Sequence, residues 1–130
     1  MEAYFGREGL LAKTLPGYEE RPGQIRMSEE VNRVLQHGGQ LIVEAGTGIG
    51  KTLAYLIPAI LSGKRVVIST GTINLQDQIF QKDIPFLQKY LGKPFRACLM
   101  KGRENYLCLR RFIFIQSKFL IDIHTVIEDF

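Results

Sequence analysis

Apolar positions along the chain fall into short runs that switch between two periods. Met27, Val31, Val34 and Leu35 share one face at helical spacing from about Gln24, and Gly38-Gly39 closes that helix. Leu41-Ile42-Val43 is a continuous apolar run and predicts a buried strand over about Gln40 to Glu44. A helix follows from about Gly50 to Ser62, kinked at Pro58 and ended by Gly63. Arg65 to Ser69 is short and β-branched and predicts a second strand. The next helix starts near Ile73, breaks at Pro85 and resumes to Leu91, and Phe95 to Met100 predicts a third strand. Before Gln24, Gly6, Gly9, Pro16, Gly17, Pro22 and Gly23 punctuate a stretch that reads as irregular. From Phe112 onward the pattern is an apolar tail, strand-like or helical. Strand–helix alternation of this kind predicts an α/β fold, a parallel sheet flanked by helices and built from right-handed βαβ units.

Glu44-Ala45-Gly46-Thr47-Gly48-Ile49-Gly50-Lys51-Thr52 sits between the first predicted strand and the helix after it. Small residues there let backbone N–H groups close around nucleotide phosphates. Lys51 supplies a point charge to the β/γ-phosphates, and the Thr52 hydroxyl is a Mg²⁺ ligand. The strict pattern opens with glycine, whereas this chain has Ala45. Strand–loop–helix context is what gives the motif meaning. A glycine-rich turn with an incidental Lys-Thr is the bland alternative.

Three further stretches stand out. Thr70-Gly71-Thr72 leaves the second strand on the same sheet edge, where hydroxyls and free N–H groups at a helix start suit a phosphate backbone. Equally, Thr70 or Thr72 is a plain N-cap. Tyr18 to Gln24 places a donor–acceptor amide at Gln24, fitting an adenine edge, with Tyr18 or Arg21 available to stack on the base. A Pro-Gly turn with a helix-start glutamine explains the same residues. In Lys101 to Cys108, a thiol among several cations favours the thiolate that ligates metals, and a structural cysteine is the simpler reading.

At 130 residues the chain holds at most one domain and not two motor lobes. Leu53 to Leu61, the longest apolar run, is too short to cross a bilayer. With no signal-peptide pattern at the start, a cytoplasmic address is expected. Net charge is +4, and the basic residues concentrate late: Lys82, Lys89, Lys93, Arg96, Lys101, Arg103, Arg110, Arg111 and Lys118 are opposed by Asp83 and Glu104 only. That asymmetry suits a nucleic-acid backbone or a solvated basic surface. Two cysteines exclude a disulfide framework; Cys98, in an apolar run, is expected as a small core residue. His37 and His124 are isolated in sequence and read as surface or helix-end residues.

Taken together, the Gly17–Met27, Glu44–Thr52, Ser69–Gln78 and Lys101–Cys108 stretches resemble the iron–sulfur helicases of superfamily 2, the DinG/XPD type with its YoaA-like branch. The resemblance implies a partial RecA-like P-loop NTPase lobe. Residues 1–23 would be a lead-in with the adenine-side motif, 24–111 a partial ATP-binding domain, and 112–130 an atypical tail. It implies ATP and Mg²⁺ as cofactors, single-stranded or forked DNA as partner, and 5′→3′ unwinding. Gln24 and Ala45 to Thr52 would bind ATP, with Lys51 and Thr52 catalytic and Thr52 on Mg²⁺. Thr70, Thr72 and Gln78 would contact DNA. Cys108 would match the first of four cysteines of a [4Fe–4S] cluster, which only a longer chain would complete.

The family's later Asp-Glu box, its remaining cluster cysteines and its second lobe have no counterpart in these residues, and Val126-Ile127-Glu128-Asp129 is only superficially like that box. The expectation is therefore the N-terminal part of an ATP-dependent DNA helicase, catalytically incomplete alone. A non-catalytic nucleotide- or single-strand-binding remnant is the alternative, and a small phosphate-loop kinase is a third reading without supporting residues.

Overall fold

A computed structural model of the protein describes residues 1–119. The chain divides into two units, Met1–Cys98 and Leu99–Phe130.

The first unit is a layer of helices. Two short ones, α1 (Glu2–Phe5) and α2 (Leu10–Thr14), occupy the stretch expected to be irregular. Phe5 and Leu11 are fully buried, so tertiary burial overrides the glycine punctuation around them. Helix α3 (Pro22–His37) starts on Pro22, whose missing N–H costs nothing in a first turn, and stops at Gly38 with φ 80°. Its buried stripe is Gln24, Ile25 and Ser28, while the predicted face of Met27, Val31, Val34 and Leu35 is half-buried. Helix α4 (Lys51–Ser62) runs between two left-handed glycines, Gly50 and Gly63, and continues through the buried Pro58. Helices α3 and α4 pack against each other.

Helix α5 (Ile73–Gln78) leads into a π-helical turn (Ile79–Asp83) and then α6 (Ile84–Tyr90). The expected break at Pro85 does not occur. Proline lacks the N–H for the preceding turn, and the wider π register upstream absorbs the loss, with helical residues running on to Tyr90. Leu56, Ile57 and Leu87 join Phe5 and Leu11 at the centre of the core, with Ile25, Ile79, Ile84 and Leu91 around them.

The three predicted strands, 40–44, 65–69 and 95–100, carry no strand pairing, and no strand occurs among the described residues. Ile42 is 97% exposed and Val67 90%. The parallel sheet expected from the sequence is thus absent from the described residues. β-branched side chains favour an extended backbone, but a ladder also needs a neighbouring strand and cover on both faces. Here the helix faces are used on one another. Cys98, expected in the core, is exposed for the same reason.

The second unit contains a 3₁₀ turn (Arg103–Asn105) and α7 (Leu109–Phe119). The start of the apolar tail is therefore helical, with Ile113, Phe114 and Ile115 exposed. His124 and Val126 to Asp129 lie outside the described residues. Among those described, no helix is long and apolar enough to cross a membrane.

Candidate nucleotide site

The loop from Glu44 to Thr52 joins the end of the unpaired 40–44 segment to α4. Gly48 and Gly50 hold φ of 81° and 79°, a region that L side chains avoid. The Lys51 ammonium folds back over the loop and donates to the carbonyls of Ala45 at 2.7 Å and Gly46 at 3.2 Å. Thr52 is the second residue of α4, with Tyr55 one turn on along the same helix. Burial, more than any neighbouring charge, pushes the Tyr55 phenol above its ordinary range.

The start of α3 grips this loop. Gln24 is 2% exposed; its Nε2 donates to the Gly50 carbonyl at 3.0 Å, and its Oε1 lies 3.2 Å from the Tyr18 hydroxyl. That hydroxyl also donates to the Phe5 carbonyl at 2.7 Å, which ties α1 to the site. Burial foremost, then the Glu20 charge, raises the Tyr18 phenol. Arg21 Nη1 donates to the Gly48 carbonyl. The structure therefore brings Gln24 together with the loop. It commits the polar ends of Tyr18 and Arg21, the two expected to stack on a base, to protein partners.

The DNA-side candidates are placed differently. Thr72 caps α5 by accepting from the Leu75 N–H at 3.2 Å, and Thr70 Oγ1 donates to the Thr72 carbonyl at 3.1 Å. Gln78 is exposed at the end of α5, five residues before Asp83 of the π turn. Burial raises the Asp83 carboxyl above the usual carboxylate range, opposed by Gln78 and Lys82, and its Oδ2 is buried without a hydrogen-bond partner. Tyr55 in turn feels the Asp83 charge. Sequence reasoning missed both Tyr55 and Asp83. Tyr55 was findable, three positions after Thr52 on a predicted helix, whereas Asp83 gave no local sign.

The late basic residues divide. Lys93 donates to the Leu61 carbonyl at 2.6 Å, closing the end of α4, and Lys89 lies over the Tyr90 ring at 4.8 Å. In the second unit, Arg110 and Arg111 line an open groove with Phe114. Cys108 is exposed there, and its carbonyl accepts from the Phe112 N–H at 2.9 Å as α7 begins. A [4Fe–4S] centre takes four thiolates. With Cys98 and Cys108 as its cysteines and no grouping of three or more His, Cys, Asp or Glu among the described residues, this chain's own residues do not make up that ligand set.

The chain is 46% identical over 107 residues to the ATP-dependent DNA helicase YoaA of Haemophilus influenzae, covering 82% of this chain and 17% of the relative. It is 48% identical over 107 residues to the Escherichia coli ATP-dependent DNA helicase YoaA, with the same 82% and 17% coverage. To the 3′-5′ exonuclease DinG of Bacillus subtilis it is 43% identical over 111 residues, covering 82% of this chain and 12% of the relative. The chain thus spans less than a fifth of the length of these relatives. No solved structure matches. The family model for the DEAD/DEAH box helicase matches residues 22–129, which takes in Gln24, the whole phosphate loop and the Thr70–Gln78 segment, and the chain belongs to that family.

Proposed function

We propose that this chain is the nucleotide-holding front of an ATP-dependent DNA helicase of the DinG type. The carrying observation is convergence on one loop: Gln24 at its Gly50 end, and Lys51 and Thr52 at the start of α4. The donor set fits Mg·ATP. Left-handed glycines leave room for phosphates, Lys51 supplies the cation and Thr52 the hydroxyl for Mg²⁺. Gln24 supplies an amide that can exchange its Gly50 carbonyl for the adenine edge. In this reading residues 40–44, 65–69 and 95–100, unpaired here, would become strands of a RecA-like parallel sheet only within the longer protein, with Thr70, Thr72 and Gln78 on its DNA side. Single-stranded or forked DNA is the substrate and translocation runs 5′→3′. Phosphoryl transfer needs a positioned metal, nucleophile and cationic clamp together. This chain supplies the cradle and metal hydroxyl, so binding with negligible turnover is expected.

Titration of the chain with a fluorescent ATP analogue, with and without Mg²⁺, tests this. Saturable Mg²⁺-dependent binding lost in Lys51→Ala supports it; binding that ignores Lys51 overturns it. Hydrolysis stimulated by single-stranded DNA and abolished in Lys51→Ala would show that the chain is catalytically complete instead.

The basic second unit favours one other reading, a non-catalytic single-strand binder. Arg110, Arg111 and the exposed Phe114 combine cations with a stacking ring. Its signature is affinity for single strands that falls with salt and is indifferent to ATP.

A further inference from the structure

Four of the loop's carbonyls accept from side chains. Lys51 holds Ala45 and Gly46 from within the loop, and Arg21 holds Gly48 from the residue before α3. The Gly50 carbonyl differs, because the Ala54 N–H of α4 bonds to it as well as Gln24 does. Its plane is set by the helix whatever Gln24 does. Gly48 lies outside any helix, between Gly46 and Gly50, with a φ of 81° and open space where a Cβ would be. Its orientation needs an outside hold.

No cis peptide occurs among the described residues, so the Gly48–Ile49 bond is trans. In a trans peptide the C=O of one residue and the N–H of the next point to opposite sides of the chain. Fixing the Gly48 carbonyl toward Arg21 therefore fixes the Ile49 N–H on the opposite side. In a phosphate cradle it is backbone N–H direction that decides affinity. A guanidinium suits the hold because it stays charged and its planar fork loses little freedom on bonding.

We propose that Arg21 is a positioning residue for the phosphate loop, presetting the Ile49 N–H for the nucleotide's phosphates by holding the Gly48 carbonyl. This rests on the nucleotide-site reading above and assigns Arg21 a task distinct from stacking on the base. The two tasks separate by ligand. A brace for phosphates acts on any polyphosphate, with or without a base. A base contact acts only on ligands that carry adenine.

The experiment is calorimetric titration of the full chain with Mg·tripolyphosphate and with Mg·ATP, for wild type, Arg21→Ala and Arg21→Lys. Arg21→Ala should weaken both ligands by the same factor, on the order of threefold to tenfold, as expected for one hydrogen bond to a charged donor. Arg21→Lys keeps a cation able to reach a carbonyl and should recover part of both affinities in parallel; it carries the same comparison if the alanine variant does not fold. ATP weakened with tripolyphosphate unchanged would overturn the proposal and make Arg21 a base contact. Neither ligand weakened would overturn it too, leaving the nucleotide site intact. Wild type binding neither ligand would sink the nucleotide-site reading along with it.

Discussion

A Cβ built on Gly50 would lie 2.3 Å from Gln24 Nε2, so the glycine and the glutamine can be neighbours only because Gly50 has no side chain. Gly50 also holds a left-handed φ of 79° at the N-cap of α4. Gly50→Ala meets both obstacles. The backbone alone costs about 1–2 kcal/mol, and Gln24 must leave the Gly50 carbonyl. Urea unfolding should show that loss, together with weaker ATP binding. A variant as stable as wild type would contradict the left-handed geometry.

Lys51→Ala should separate binding from stability. The ammonium bonds to carbonyls of an exposed loop, and surface changes of that kind stay within about 0.5 kcal/mol. Its charge-assisted contact with phosphate is worth more, so nucleotide affinity should fall by roughly 10- to 100-fold. Thermal melts and ATP titrations on the same preparation check both halves.

Leu87→Ala and Ile42→Ala make a paired test of the helical core and the unpaired segment. Leu87 is fully buried and Ile42 is 97% exposed. The first should cost about 2–5 kcal/mol, the second within about 0.5 kcal/mol. A large loss for Ile42→Ala would mean that 40–44 is paired in a sheet in solution.

Asp83 sets a pH dependence. Burial holds its folded carboxyl above the unfolded value, so the folded state binds the proton more tightly. Its contribution to stability is complete below the unfolded pKa and is lost as pH rises through the folded one. Asp83→Asn removes that loss while keeping the side chain's size and shape. It should be more stable than wild type at neutral pH, with the difference closing in acid. Denaturation midpoints of both proteins across the acidic range check this, and a gap that widens in acid would reverse the assigned direction.

Much of the site was legible because it is local. Gly48, Gly50, Lys51 and Thr52 act through positions fixed within one loop and one helical turn, and both ends of α4 follow from Gly50 and Gly63. Gln24 was legible as an amide at a helix start. Its burial between Tyr18 and Gly50 was not, because those partners lie 6 and 26 positions away. Wide separation in sequence likewise hid the influence of Asp83 on Tyr55. Among the DNA-side candidates, Thr72 took the capping role that its position before α5 always allowed.

By itself the sequence determined the phosphate loop, the helices on either side of it and the family, since each depends on residue types at short fixed spacings. Tertiary structure alone decided what surrounds them. It turned residues 2–14 into two helices by burying Phe5 and Leu11, carried the helix past Pro85 through a π turn, and left Ile42 and Val67 in solvent. The physical reason is the same in each case. Burial and strand pairing depend on partners distant in sequence, and apolar pattern records only that a side chain is suited to burial, not which surface buries it.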